Sequence, residues 1–469
     1  MPFNEFVSNV RRVDETSLLG ALVLALVMLA FQLQQAANNR EKLKGIPTVG
    51  SSGFVASWKD AFGFLFHSKE IIEKGYRKYH GSVFKVHLLD KWMIVVSGVE
   101  KINDIRKSSP GQLSSLDATS DLLQMDYTIG RDVHLFCRCS DEIQEAFNDN
   151  IPMTEDWIDV LIYERILQIV CRASNRMFVG LPLCRTCIEL NINFTVNVFA
   201  CAHIINLFPS FLKPVAGFIL TPRRRALAKA EKFLGQTIRE RLQEEDIHGN
   251  DWPGKPNDLL SWLLDATKGN KERRDVQDLI TRILLLNLGA IHTTSMVFKT
   301  VPSQKKAGLK PAVGKMGRLD SFLKEAQRLY GDLGVFSVRR TARKDFIFSD
   351  GTVVPAGSQI AVTALSTHLD EENYEDPLQF KPWRFSEKRK QEGEGNHQQM
   401  VIPSLDYLLF GIGRSACPGR FFAVNMLKTL TAHVLLNFDV KIDRIDQFFT
   451  HQTSNQRRDV FFRKRAGVP

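Results

Sequence analysis

The sequence predicts a mainly α protein with a small β-rich part, plus one N-terminal transmembrane helix, on three observations. Residues Leu18 to Phe31 form an unbroken apolar run. From Asp141 to Asn287 apolar residues recur mostly at helical spacing, as amphipathic and buried helices require. Two stretches, 82–97 and 346–364, instead alternate and turn as strands do.

The apolar run is extended by Leu33 and flanked by Arg11 and Arg12 before it and by Arg40, Lys42 and Lys44 after it. A membrane span needs about 20 residues, and the uncharged Gln32 to Ala37 lengthen the run towards that. Residues 16–37 are therefore read as a retained anchor behind a tail of residues 1–15. A secretory signal is the rival, but Gln-rich and then basic sequence follows, with only a weak small-residue site at Ala36-Ala37. Gly45-Ile46-Pro47-Thr48-Val49-Gly50 cannot continue a helix. It ends a basic and Pro/Gly linker over residues 38–50, and one large domain over 51–469 follows.

Within that domain, Ser82–Leu88 and Trp92–Ser97, split by Asp90-Lys91, form a hairpin pattern. A second β patch runs from Phe346 to Pro355 with its turn at Asp350-Gly351, then from Gln359 to Ala364. Pro and Gly interrupt the helical region at 180–182, 209–222 and 249–256.

Composition narrows the function. The chain is 44% hydrophobic and 24% charged, with net charge +10. That charge admits nucleic acid, anionic lipid or an acidic protein as partners. Aromatics do not interleave with basic runs as a single-strand binder requires, so no nucleic acid is expected. The densest basic run, Arg223-Arg224-Arg225, opens a helical pattern and reads as a solvated face. Seven cysteines, an odd number without an even framework, indicate a reducing compartment. Cys184 and Cys187 form a C-x-x-C with no second pair or histidine set at zinc-ligand spacing, so they read as packed residues. Asn193-Phe194-Thr195 is a formal glycosylation motif.

Chemistry concentrates near the end of the chain, in FGIGRSACPGRFFA, Phe410 to Ala423. A cysteine at the mouth of a helix, preceded by glycines that permit close approach, gains from N-terminal amides that stabilise thiolate. Alone, Cys417 is a nucleophile, a metal ligand or an inert structural thiol. None of the eleven histidines stands in a recognisable protease context, and a thiolate ligand needs only donors to its sulfur and cations for its cofactor, which Arg414 and Arg420 offer. Upstream, Glu325 and Arg328 stand three apart on one helix face, where they can pair; taken alone, such a pair is a surface one. Phe380-Lys381-Pro382-Trp383-Arg384-Phe385 places another arginine in a Pro-stiffened loop. Leu285 to Thr294 sets Gly289, Ala290, Thr293 and Thr294 inside a strongly apolar helix, which suits either close helix packing or the approach of a flat ligand.

Taken in order, these segments resemble the cytochrome P-450 haem-thiolate monooxygenases, and among them the membrane-anchored fungal enzymes similar to ent-kaurene oxidase and the triterpenoid- and steroid-oxidising groups. The resemblance implies the cytochrome P-450 fold with haem b (iron protoporphyrin IX) as cofactor. It makes Cys417 the axial ligand of the haem iron, with Phe410, Gly413, Arg414 and Gly419 framing the cofactor. Glu325, Arg328 and Arg384 become a buried structural triad, and Thr293 with Thr294 becomes the proton-delivering pair. It also implies a hydrophobic multi-ring substrate, electrons from an NADPH-cytochrome reductase, and a single-pass endoplasmic-reticulum membrane protein with its catalytic domain in the cytosol.

The chain departs from the family pattern in places. His292 stands where an acidic residue commonly precedes the threonine, Ala290 replaces a commoner glycine, and Ser415 occupies a position often basic. Residues 132–142, with His134 and Arg138 in an H-x-x-x-R spacing, and residues 294–320 are shorter than the family's helices there need. Two rivals follow: a haem-free or truncated pseudoenzyme, and a reductase-independent haem-thiolate isomerase or dehydratase.

Overall fold

The computed structural model of the chain describes residues 41–466 except 52, 90, 130–141, 182, 222, 250–251, 300–315, 332–335, 392–396 and 443–458, with only scattered positions before 41. The expected anchor therefore lies largely outside the described residues. So do His134 and Arg138, as does most of each short segment noted above.

Ten helices position the site: α1 (Phe54–Lys78), α2 (Ile162–Phe178), α3 (Ile188–Asn206), α4 (Lys213–Leu220), α5 (Arg223–His248), α6 (Val276–Lys299), α7 (Met316–Tyr330), α8 (Ala364–His368), α9 (Arg384–Lys388) and α10 (Arg420–Asn437). The strands are β1 (Val83–His87), β2 (Trp92–Val96), β3 (Leu113–Ser114), β4 (Ile158–Leu161), β5 (Ser337–Ala342), β6 (Phe346–Ile347), β7 (Val353–Val354), β8 (Gln359–Val362), β9 (Phe438–Ile442) and β10 (Asp459–Lys464). They form a five-stranded sheet in the order β1-β2-β8-β5-β3, a three-stranded sheet β4-β10-β9, and the ribbon β6-β7.

The expected hairpins are present. β1 pairs antiparallel with β2 from Val83↔Val96 to His87↔Trp92, and β6 pairs with β7 across a turn in which Gly351 has φ +85°. The second patch divides, however: Gln359–Val362 leaves its ribbon and joins the large sheet parallel to β2. The interruption read at 209–222 contains helix α4, because a proline at the first helical positions costs no hydrogen bond. β4 was not legible, since its four residues carry no alternation and it is held by distant β10.

The helical core centres on α6, whose apolar window is 72% buried. α2 lays Ile166, Ile169, Val170, Ala173 and Met177 against it, the i, i+3, i+4 stripe of a helix buried on one face. Three amides lie within this apolar contact. Asn175 Nδ2 donates to Asn287 Oδ1 at 2.8 Å, Asn287 Nδ2 returns a bond at 3.1 Å, and Asn191 Nδ2 donates to Asn175 Oδ1 at 3.3 Å. Buried amides need such mutual satisfaction, and this network fixes the register of α2, α3 and α6.

Cys184 and Cys187 are buried as packed neutral thiols; burial pushes the Cys184 thiol up to about 11 and raises that of Cys187. In the formal glycosylation motif, Thr195 is fully buried inside α3 and its hydroxyl donates to Asn191 O at 3.0 Å, which withholds the motif from a modifying enzyme.

Candidate active site

The cysteine loop is built from the turn outward. Gly411 and Gly413 adopt φ +72° and +66°, a region that costs other residues roughly 1–2 kcal/mol. A Cβ on Gly413 would also stand 2.7 Å from Arg106 O. We expect Gly413→Ala to lower the thermal midpoint and weaken cofactor retention, whereas Gly419→Ala is mild. Gly419 sits at φ −79°, which any residue adopts, and an added Cβ there meets only Cys417 Sγ at an ordinary 3.9 Å. Gly419 thus enters α10 without a conformation that only glycine adopts.

The loop closes on itself through Cys417 N donating to Phe410 O at 2.7 Å and Ala416 N to Gly413 O at 3.1 Å. Arg420 braces it, Nε donating to Val401 O at 3.1 Å and one terminal nitrogen to Cys417 O at 2.9 Å. Arg414 is exposed on the short 3-10 turn Gly413–Ser415. Burial raises the Cys417 thiol above its ordinary range, against the opposing pull of the Gly419 and Arg420 amides and the Arg420 charge. A bound metal ion would supply what the amides do not, since coordination deprotonates a thiol outright.

Cys417 opens onto a cavity of about 400 Å³. Phe410 and Gly419 line its cysteine side, and Gly289, Ala290, Thr293 and Thr294 of α6 line the facing side, with Phe178, Leu286 and Val297 completing an apolar wall. Nothing lies within 4 Å of a Cβ built on Gly289, which leaves room over α6. Thr293 donates its hydroxyl to Gly289 O at 2.6 Å, a back-bond that loosens the local helix. Thr294 is 2% exposed and its Oγ1 is buried without a partner. His292 points away from this cavity, its Nδ1 3.0 Å from the Tyr163 hydroxyl of α2.

Glu325, Arg328 and Arg384, far apart in sequence, are brought together and buried. Glu325 accepts from Arg328 Nε at 2.8 Å and a terminal Arg328 nitrogen at 3.0 Å, from Arg384 Nε at 3.1 and 3.2 Å, and from Lys381 N at 3.0 Å. Arg328 and Glu325 are fully buried, so the surface-pair alternative is set aside. From this hub a chain of bonds reaches the cysteine loop. Arg328 donates to His368 O at 2.6 Å, Leu408 N donates to His368 Nε2 at 2.9 Å, and Gly411 N donates to Leu408 O at 3.0 Å.

His368 was missed by sequence reading because nothing local marks it. Burial, reinforced by the Arg328 charge, pushes its pKa down to about 3, so it stays the neutral acceptor that Leu408 N requires. Its folded pKa lies below the ordinary 6.5, so the unfolded chain takes the proton first. Stability should fall between about pH 6.5 and 3, by at most about 5 kcal/mol from this group. Denaturant midpoints measured at pH 7, 5 and 4 should drop less for His368→Gln than for the parent.

Arg340 was missed too. Its β5 strand alternates, and the period of two turns Val338, Arg340 and Ala342 inward, so a lone arginine on the inner face was the available signal. It is 5% exposed and donates only to the carbonyls of Arg339 at 2.8 Å and Ile412 at 3.4 Å, with no carboxylate partner among the described residues. Burial pushes its pKa down to about 10. A sulfur facing an apolar, glycine-relieved space, an orphaned Thr294 hydroxyl and a buried guanidinium lacking an anion together fit a flat apolar macrocycle with an axial metal and acidic side arms.

Comparison with known proteins agrees with this fit. The family model for cytochrome P-450 matches residues 310–460. Cytochrome P-450 monooxygenase 151 of Postia placenta is 39% identical over 86% of this chain and 89% of its own length. Cytochrome P-450 monooxygenase 103 of the same fungus is 36% identical over 94% of this chain and 97% of its own. A retinoic-acid-bound cyanobacterial CYP120A1 shares the fold, with TM-score 0.59 and 19% identity over 90% of this chain and 98% of that one. The chain belongs to the cytochrome P-450 family, whose members bind haem iron. Within that class it is a monooxygenase similar to fungal ones.

Proposed function

We propose that the protein hydroxylates a hydrophobic multi-ring molecule such as a steroid, diterpene resin acid or triterpenoid, drawing electrons from an NADPH-cytochrome reductase. The observation that carries this reading is the opposition of Cys417 to Thr293 and Thr294 across an apolar cavity. Haem, when bound, supplies reductive activation of dioxygen and insertion of one oxygen atom into the substrate. Cys417 would hold its iron, Phe410, Gly413, Arg414 and Gly419 frame it, and the triad keep the loop in place. Arg340 would pair with an acidic side arm of the macrocycle. Thr294 would offer its free hydroxyl to the reacting centre, and Thr293 would keep the helix open beside it through Gly289 O. The apolar wall would orient the substrate and exclude water. Residues 16–37 would anchor the domain 51–469 to the endoplasmic reticulum, facing the cytosol.

The test is turnover of the purified protein with reductase, NADPH and labelled dioxygen against panels of the three substrate types. Label in a single new hydroxyl, dependent on reductase, is expected. Conversion without reductase would favour an isomerase or dehydratase, and absence of a thiolate-type carbon-monoxide band after haem addition would favour the pseudoenzyme.

A further inference from the structure

Helix α1 ends beside the segment that follows α8, and three side chains able to ligate a metal converge there. His80 Nε2 stands 2.8 Å from Asp370 Oδ2 and 3.9 Å from Glu372 Oε2, and the three atoms all lie within 4.8 Å of one another. Ligands held about 2.0–2.2 Å from one zinc ion stand roughly 3.4 Å apart in a tetrahedron. The two spacings on His80 bracket that requirement.

The surroundings supply what such a site needs. Tyr76, 7% exposed near the end of α1, donates its hydroxyl to Asp370 Oδ2 at 2.5 Å, and Glu372 N donates to Asp370 Oδ1 at 2.9 Å. Outer partners of this kind orient metal-binding carboxylates, and Asp370 Oδ2 keeps a lone pair for an ion that takes the place of its His80 bond. The Tyr76 and His80 rings meet edge-on, their centres 5.1 Å apart, which sets the plane of the imidazole. No Lys or Arg pairs with Glu372 among the described residues. A cleft of about 580 Å³ lined by Tyr76, His80 and Asp370 gives an ion its way in, and His80 and Glu372 are themselves exposed. One imidazole with two carboxylates suits zinc, whereas magnesium and calcium take oxygen ligands alone.

We propose that His80, Asp370 and Glu372 bind one Zn²⁺ ion, with water in the fourth position, at a site separate from the haem centre. The ion joins the end of α1 to the chain two residues beyond His368, whose carbonyl takes the Arg328 bond. Its occupancy steadies the scaffold of the cysteine loop from outside the cavity.

The experiment is isothermal titration calorimetry of the full, haem-loaded, chelator-treated chain with zinc chloride alone. One Zn²⁺ per chain should bind and raise the thermal midpoint, and Mg²⁺ and Ca²⁺ should give no comparable heat. His80→Asn should weaken binding at least tenfold, and Tyr76→Phe, which removes only the outer donor, about tenfold, with the haem absorbance unchanged. Glu372→Gln, at an exposed side chain whose loss leaves the fold intact, should weaken it as His80→Asn does. His248→Asn is the control, because His248 has Glu244 at 3.7 Å but no third ligand beside it. A parent that binds no zinc overturns the proposal. So does zinc affinity that survives both His80→Asn and Glu372→Gln, or that His248→Asn abolishes. Equal affinity for Mg²⁺ overturns it as well, by making the cluster a carboxylate patch for hard cations.

Discussion

Cys417→Ala should yield a folded protein that shows no thiolate-type band in the reduced carbon-monoxide difference spectrum and no reductase-dependent turnover. The substitution removes one sulfur at the edge of a cavity rather than a side chain locked in the core. The loop's closing bond comes from the Cys417 backbone nitrogen to Phe410 O at 2.7 Å, which alanine retains. Arg420 likewise holds the Cys417 carbonyl, not the sulfur. Far-UV circular dichroism should therefore be unchanged, and the thermal midpoint without haem should move by no more than about 1 kcal/mol equivalent. Cys184→Ala is the matched control, because that thiol is buried away from the cavity. A Cys417→Ala protein that keeps the band, or a Cys184→Ala protein that loses it, would reassign the ligand.

The contrast between those cysteines explains what was legible in the sequence. Cys417 announces itself because the chemistry is local: glycines with positive φ before it and a helix after it. The first hairpin and the helical core were legible for the same reason, since periods of 2 and 3.6 are properties of adjacent residues. What could not be read depends on partners distant along the chain. β4 exists because β10 pairs with it almost three hundred residues later. His368 matters because Arg328 and Leu408 converge on it from either side. Arg340 is set apart by lacking a carboxylate partner among the described residues, which no spacing records. A glycine's type signals permission for an unusual φ, not its use: Gly413 takes φ +66° and Gly419 takes φ −79°.

Glu325→Gln should be the most damaging single change outside the cavity, and more damaging than Arg328→Ala. An exposed ion pair contributes about 0–1 kcal/mol, which is what E-x-x-R spacing alone would suggest. Glu325 is instead fully buried and accepts from two guanidinium groups and the Lys381 amide. Removing its charge leaves two buried cations uncompensated, and one broken buried pair already costs roughly 3–5 kcal/mol. Against a total stability of about 5–15 kcal/mol, the variant should accumulate poorly at growth temperature. Arg328→Ala leaves Glu325 still paired with Arg384 but releases His368 O, so it should fold partially and lose haem faster than the parent. Arg384→Lys should fall between them, because an ammonium cannot reproduce the three carbonyl bonds of the Arg384 fork to Glu375, Asp376 and Gln379. Soluble yield and carbon-monoxide band measured together separate a scaffold role from a chemical one. If the triad is scaffold, band and folded protein decline in proportion across the three variants. A Glu325→Gln protein of parental thermal midpoint that nonetheless fails in turnover would place the carboxylate in the chemistry instead.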